Sequence, residues 1–173
     1  DVYKRQVFAG VIGLEHAYSR TDADGLTYGA ELERIGWKGD EQVGARRMHA
    51  YYELHIEQGP ILEAEDVDIG VVTHCQGLWW LEFTLEGREA HTGSTPMAMR
   101  VNAGLAFGRI LESVQRIAME EQPGAVAGVG QARFFPNSRN VLPGKVVFTV
   151  DLRTPEAEKL ARMRYRIETE AAA

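Results

Sequence analysis

The chain has 173 residues, 45% of them hydrophobic and 25% charged, with a formal net charge of −6 at pH 7. That length suits one domain or parts of two, and the acidic balance speaks against a nucleic-acid footprint. No apolar run approaches the ~20 residues of a membrane-spanning helix and no signal-peptide pattern opens the chain, while the single cysteine, Cys75, excludes an internal disulfide and fits a reducing, cytoplasmic setting.

The opening DVYKRQ has neither cap nor turn logic and reads as an adapter-derived appendage, residues 1–6, outside fold reasoning. TDADGLTYGAELERIGW predicts a turn at Asp24-Gly25 and a short helix. Thr27 is its N-cap, Tyr28, Leu32 and Ile35 its apolar stripe, and Gly36 its end. YYELHIEQGP then reads as a strand with Tyr52, Leu54 and Ile56 on one face and Tyr51, Glu53, His55 and Glu57 on the other, broken by Gly59-Pro60. IGVVTHCQG reads as a second strand.

From Leu78 the pattern changes. LWWLEFTLEG alternates Trp79, Leu81, Phe83 and Leu85 against Trp80, Glu82, Thr84 and Glu86, the mark of a half-buried antiparallel strand. After the loop REAHTGS, Thr95-Pro96 reads as a helix start, with Ala103, Phe107, Ile110, Val114 and Ile117 on one face and Pro123-Gly124 as the stop. AVAGVGQARFF and KVVFTVDLR predict two more strands joined by PNSRNVLPG. Thr154-Pro155 opens a last helix with Leu160, Met163 and Ile167 inward. The second half is therefore β-α-β-β-α, one strand short of a split βαβ layout. RIETEAAA ends inside a helical pattern, so the chain reads as a fragment whose fourth strand lies beyond Ala173.

Five residues could carry chemistry. His55 sits where a strand ends, the place at which open α/β sheets collect ligands, and neutral imidazole is a common transition-metal ligand. A hydrogen-bonded histidine on a half-buried strand is the bland alternative, and one histidine is not a metal site. Gln58 follows at the same strand end. His91 lies in a loop before a helix N-terminus and could be a solvated histidine or an oxyanion-stabilising group. Asn140 could be a turn residue only. Arg153 shares a strand face with Val147, Thr149 and Asp151; it could form an intrastrand ion pair or clamp a substrate carboxylate. His74 and Cys75 point to opposite faces and do not make a metal pair. His16 and His49 read as surface residues. No phosphate-binding GxxxxGK[ST] loop and no GxSxG elbow occurs.

Taken in order, ELHIEQGP, GREAHTGSTPM, PNSRNVLPG and FTVDLR resemble the allantoate amidohydrolase and N-carbamoyl-L-amino-acid hydrolase (hydantoinase-carbamoylase) family, a branch of the two-metal aminoacylase and carboxypeptidase superfamily. The resemblance runs from about Val7 to the end. It implies an α/β architecture in which residues 1–77 are the tail of the first segment of a metal-binding catalytic domain. Residues 78–173 would be a lid that dimerises, lacking its last strand. It implies His55 as a metal ligand and Gln58 close to metals and substrate. By the same likeness His91 is the lid histidine that polarises the scissile carbonyl in the partner subunit's site, and Asn140 and Arg153 hold the substrate carboxylate. The implied cofactors are two divalent ions, zinc, manganese or similar, and the implied reaction is hydrolysis of a ureido or carbamoyl C–N bond in allantoate or an N-carbamoyl-L-amino acid. The implied partners are that small substrate and a second copy of the chain, with no nucleic acid and no membrane.

The other metal ligands and the general-base glutamate of the pattern are not in this sequence, so the fragment alone is expected to be inactive. THCQG replaces the more usual Thr-Gly-Ile-Gln-Gly, HTGST varies a loop that is more often Ala-Gly-Thr-Thr, and Asn102 stands where aspartate is common. Two other readings remain at this level: an aminoacylase- or peptidase-like member of the superfamily, and a non-catalytic dimerisation module.

Overall fold

A computed structural model describes residues 6–172. Most of the stretch read as an appendage, residues 1–5, lies outside the described residues. The chain divides into two compact units between Asp66 and Val67.

The described part of the first unit includes the short helices α1 (Leu14–Tyr18), α2 (Tyr28–Arg34) and α3 (Ile61–Ala64), besides a helical turn at residues 6–8. The predicted turn is there: Asp22 Oδ1 accepts from the amides of Asp24 and Leu26, both at 2.9 Å, and Gly25 takes φ +81°. Thr27 caps α2 through Oγ1, accepting from Ala30 N at 3.2 Å, and Gly36 ends it at φ +69°. The expected apolar stripe is not what packs. Tyr28 and Ile35 stay 40% and 50% exposed, whereas Gly29 is buried against Tyr18, where a Cβ would come within 3.1 Å of the Tyr18 side chain.

The two strands predicted at residues 51–58 and 69–76 do not form. Both segments are irregular, with Leu54 99% and Val71 85% exposed. A strand is stabilised by the ladder beside it, and among the described residues no neighbour pairs with either segment. The alternation in residues 51–57 is real sequence information about a face, but nothing here covers that face.

The second unit follows the predicted order. Strands β1 (Gly77–Glu86), β3 (Val126–Phe135) and β5 (Lys145–Thr154) form an antiparallel sheet in the order β1-β5-β3, and helices α4 (Ala103–Glu120) and α5 (Ala157–Ala172) pack on it. A second, two-stranded ribbon pairs β2 (Ala90–His91) with β4 (Val141–Leu142). The α/β expectation holds. β5 is central, so its inward residues Val146, Phe148, Val150 and Leu152 are essentially inaccessible, and they meet Ile110, Val114 and Ile117 of α4 and Leu160, Met163 and Ile167 of α5. Phe148 lies at the middle, stacked on Phe83 at 5.3 Å and edge-on to Phe107 at 5.0 Å.

One helix start differs from the sequence expectation. Thr95-Pro96 leads only into a 3-10 turn at Met97–Met99. The cap of α4 is Asn102, whose Oδ1 accepts from Gly104 N at 2.9 Å and Leu105 N at 3.3 Å. Pro96 is extended, with ψ 144°, so the chain leaves it in the wrong direction for an α-helix.

Candidate substrate site

His91 and Asn140, 49 positions apart in sequence, are brought side by side by the β2–β4 ribbon. His91 stands opposite Val141, and Thr92 donates to the Asn140 carbonyl from both its amide, at 2.9 Å, and its hydroxyl, at 3.1 Å. The turn before β4 is closed by Ser138, whose hydroxyl donates to Asn140 Oδ1 at 3.1 Å. The turn role foreseen for Asn140 is therefore present, and its amide NH2 is not used in closing that turn.

The expected help to His91 from a helix dipole is withdrawn, because α4 begins only at Ala103. The loop supplies something more direct. His91 Nδ1 accepts from the amides of Gly93 and Ser94 at 3.1 and 3.2 Å. A nitrogen that accepts two N–H groups carries no proton in the neutral ring, so Nε2 carries it, and the exposed imidazole presents an N–H donor. Arg100 fixes this loop: its guanidinium donates to Thr92 O at 2.7 Å and to Thr95 O at 2.8 and 3.0 Å. Sequence reasoning passed over Arg100. The available signal was an arginine directly after the short turn that Thr95-Pro96 opens.

Arg153 lies on the sheet face away from the helices, with Asp151, as the strand pattern required. Its Nε donates to both Asp151 oxygens at 3.0 and 3.1 Å, and its Nη2 to Oδ2 at 2.6 Å. Arg153 holds the Asp151 carboxyl below its ordinary pKa, with help from the Trp80 indole N–H, and the Arg153 pKa is raised in return by the same hydrogen bond. Both groups line an open groove of about 350 Å³ with residues 126–130 of β3. The ion-pair reading of Arg153 is thus observed, and it leaves part of the guanidinium unused.

Within one chain these residues do not converge. The ribbon adjoins the Lys145 end of β5, where Gly87 N donates to Gly144 O at 2.7 Å, whereas Arg153 lies eight residues further along the strand, roughly 26 Å at 3.3 Å per residue.

In the first unit, His55 and Gln58 lie in the irregular segment before α3. His55 Nδ1 is 2.6 Å from Ile56 O, so Nδ1 is the protonated nitrogen and Nε2 keeps its lone pair, the tautomer that a metal ligand needs. Gln58 has φ +58°. Glu57 is occupied otherwise: its two oxygens accept from Ile61 N and Leu62 N, both at 3.1 Å, and cap α3. Among the described residues no group of three His, Cys, Asp or Glu is placed to hold a metal ion. No described helix is long and apolar enough to cross a membrane.

Residues 73–173 match the family described as "Peptidase dimerisation domain". The chain is 75% identical over 165 residues to an N-carbamoyl-L-amino-acid amidohydrolase of Rhizobium meliloti, covering 95% of this chain and 40% of that protein. It is 38% identical over 124 residues to an allantoate amidohydrolase of Escherichia coli (strain K12), covering 71% of this chain and 30% of the relative. Among solved structures, an amidase of the hydantoinase/carbamoylase family from Burkholderia multivorans superposes with a TM-score of 0.84 at 51% identity, over 98% of this chain and 41% of that one. The chain thus spans at most about two fifths of these relatives. With the sheet, the two helices and the ribbon as described, the chain belongs to the peptidase dimerisation-domain family, in its hydantoinase/carbamoylase branch.

Proposed function

We propose that this chain is part of a metal-dependent amidohydrolase that cleaves the carbamoyl or ureido C–N bond of a small carboxylate substrate, an N-carbamoyl-L-amino acid or allantoate. The observation that carries the reaction class is the 75% identity, across 95% of the chain, to a relative named for that activity. In this reading the activity belongs to a longer polypeptide. Residues 1–77 are the tail of the first segment of its catalytic domain and residues 78–173 most of its lid. The exposed free Cys75 suits a reducing, cytoplasmic location.

Two divalent ions, zinc, manganese or similar, would supply an acidified water and a Lewis acid for the carbonyl. His55, through Nε2, is the one ligand we assign to such a centre. The described residues do not fit a two-ion site by themselves. Gln58 lies three residues on, beside substrate and centre. His91 donates its Nε2–H to the scissile carbonyl oxygen as negative charge develops there. The Gly93 and Ser94 amides keep the ring in the tautomer that can do so. Asn140 and Arg153 hold the substrate carboxylate, the arginine by its planar fork.

The separation of Arg153 from His91 and Asn140 favours a site shared between two copies. β3 is an edge strand that carries Gly128 and Gly130 and no lysine or proline, the residues that usually blunt such edges. A groove of about 400 Å³ runs beside it, lined by Gly108, Leu111 and Gln115 of α4. Two copies paired antiparallel along β3 place the Phe135 end of one strand beside the Val126 end of the other. Arg153 stands opposite Val126, and the ribbon adjoins the Phe135 end through Gly144 N and Phe135 O at 3.0 Å. The same two-fold therefore carries the ribbon of the partner toward Arg153.

The test is ammonia release from N-carbamoyl-L-amino acids and from allantoate by the full-length polypeptide with added zinc or manganese. His91→Ala is expected to lower kcat about 100- to 1,000-fold, the usual loss for one oxyanion donor. Turnover of N-acyl amino acids or dipeptides in preference to both substrates would overturn the reading.

A further inference from the structure

We propose that Asp151 is a positioning residue for Arg153: it grips one edge of the guanidinium so that the other edge is held out to a substrate carboxylate. The inference rests on the carboxylate-binding role given to Arg153 above.

The geometry divides the arginine's five N–H groups. Asp151 takes Nε–H and one hydrogen of Nη2, at 2.6 to 3.1 Å. Both hydrogens of Nη1 and the second of Nη2 remain, and these include the end-on fork that matches a carboxylate with two parallel bonds. The side chain is 43% exposed, so the unused edge is accessible to a ligand. The residue facing Asp151 across the ladder on β3 is Gly128, and a Cβ there would meet nothing within 4 Å, so the face beside the pair is open. Asp151 faces Trp80 of its other ladder neighbour, β1, whose indole N–H also favours the ionised carboxylate. A lone arginine on an exposed strand samples many rotamers. The three bonds to Asp151 favour one orientation before substrate arrives.

A simple ion pair makes a different demand. If Asp151 merely competed with substrate for the guanidinium, removing it would strengthen carboxylate binding. A positioning role has the opposite sign. In the full-length enzyme, Asp151→Ala is expected to raise KM for N-carbamoyl amino acids about 10-fold with kcat little changed, a loss typical of a residue that orients a ligand-binding group. Asp151→Asn, which keeps an acceptor oxygen and the shape, should recover part of it. The loss should vanish when the substrate carboxylate is replaced by a carboxamide, and in an Arg153→Ala background. A merely structural role would move both substrates alike. A KM that falls or stays unchanged in Asp151→Ala would overturn the proposal.

A second readout does not depend on turnover. In the full-length enzyme labelled with nitrogen-15 at arginine, titration with N-carbamoylglycine should shift the Arg153 Nη signals while its Nε–H stays protected from exchange. Loss of that protection on adding ligand, or no Arg153 shift at saturating concentrations, would also overturn it. If the titration succeeds and the full-length enzyme hydrolyses neither carbamoyl substrate, the reaction assignment is what fails.

Discussion

Replacing Asn102 by alanine removes the N-cap of α4, one of the two helices that pack on the sheet. Its side-chain oxygen accepts from two first-turn amides, those of Gly104 and Leu105, the second of which also donates to the Asn102 carbonyl at 3.2 Å. Loss of such a cap costs about 1 kcal/mol, within a range of about 0.5–2 kcal/mol. For a unit of this size that is a fall in melting temperature of about 4–8 °C. Asn102→Asp keeps the acceptor and adds negative charge at the positive end of the helix, a gain of about 0.3–1 kcal/mol. Asn102→Gly should sit near wild type, because glycine caps only a few tenths of a kcal/mol less well. The order expected from thermal melts followed by circular dichroism is therefore Asp at or above Asn, then Gly, then Ala. Thr95→Ala should leave the melt almost unmoved, since the bonds Thr95 makes are from its backbone, the amide donating to His91 O at 3.2 Å and the carbonyl accepting from Arg100. The reverse outcome, a silent Asn102→Ala and a costly Thr95→Ala, would refute this placement of the helix start.

Phe148→Ala should destabilise the second unit by about 3–5 kcal/mol, because a fully buried aromatic in contact with Phe83 and Phe107 leaves a cavity that β5 cannot close; a urea midpoint close to wild type would contradict it. Acid should weaken the same unit. Arg166 lowers the Glu120 pKa, Arg162 lowers that of Glu121, and Ser113 and then Arg116 lower that of Glu170. A carboxylate depressed in the folded state adds stability that is present above its ordinary value of 4.5 and is lost as pH falls through the lower folded value. The urea midpoint should drop below about pH 4.5, and a Glu120→Gln, Glu121→Gln double variant should drop less; identical profiles would remove these pairs from the explanation. In the full-length enzyme, Arg153→Lys keeps the charge but loses the fork, and the loss of a charge-assisted hydrogen bond should lower kcat/KM by about 10- to 100-fold without unfolding; unchanged efficiency would return Arg153 to its ion pair alone.

The second unit was legible in the sequence because its elements bury each other. The alternation of Leu81, Phe83 and Leu85 and the spacing of Ile110, Val114 and Ile117 describe faces that meet within these 173 residues. Residues 51–57 alternate as well, and residues 69–76 also read as a strand, but such a pattern only marks a face. Whether a strand forms depends on a neighbour that supplies a ladder, and no described residue does so. The misplaced start of α4 has a local cause. Thr95-Pro96 and Asn102 are both plausible caps, and the extended Pro96 decides between them in a way that sequence spacing does not reveal. Among the site residues, the pairing of His91 with Asn140 came only with the ribbon, whose strands are two residues each and too short to show a period. The tautomers of His55 and His91 depend on single backbone contacts, and the Asp151 grip on Arg153 was visible only as one of two readings of a strand face.

Subunit complementation tests the shared site most directly. His91→Ala and Arg153→Ala full-length proteins would be purified separately, unfolded, mixed in equal amounts and refolded together, and ammonia release measured from an N-carbamoyl-L-amino acid. If His91 of one subunit acts with Arg153 of the other, each mixed dimer has one intact site and one doubly damaged site. About half the dimers are mixed, so activity should return to roughly a quarter of wild type from two nearly inactive parents. If both residues act within one chain, every site in every dimer lacks one of them, and activity that stays at the level of the parents would contradict the account.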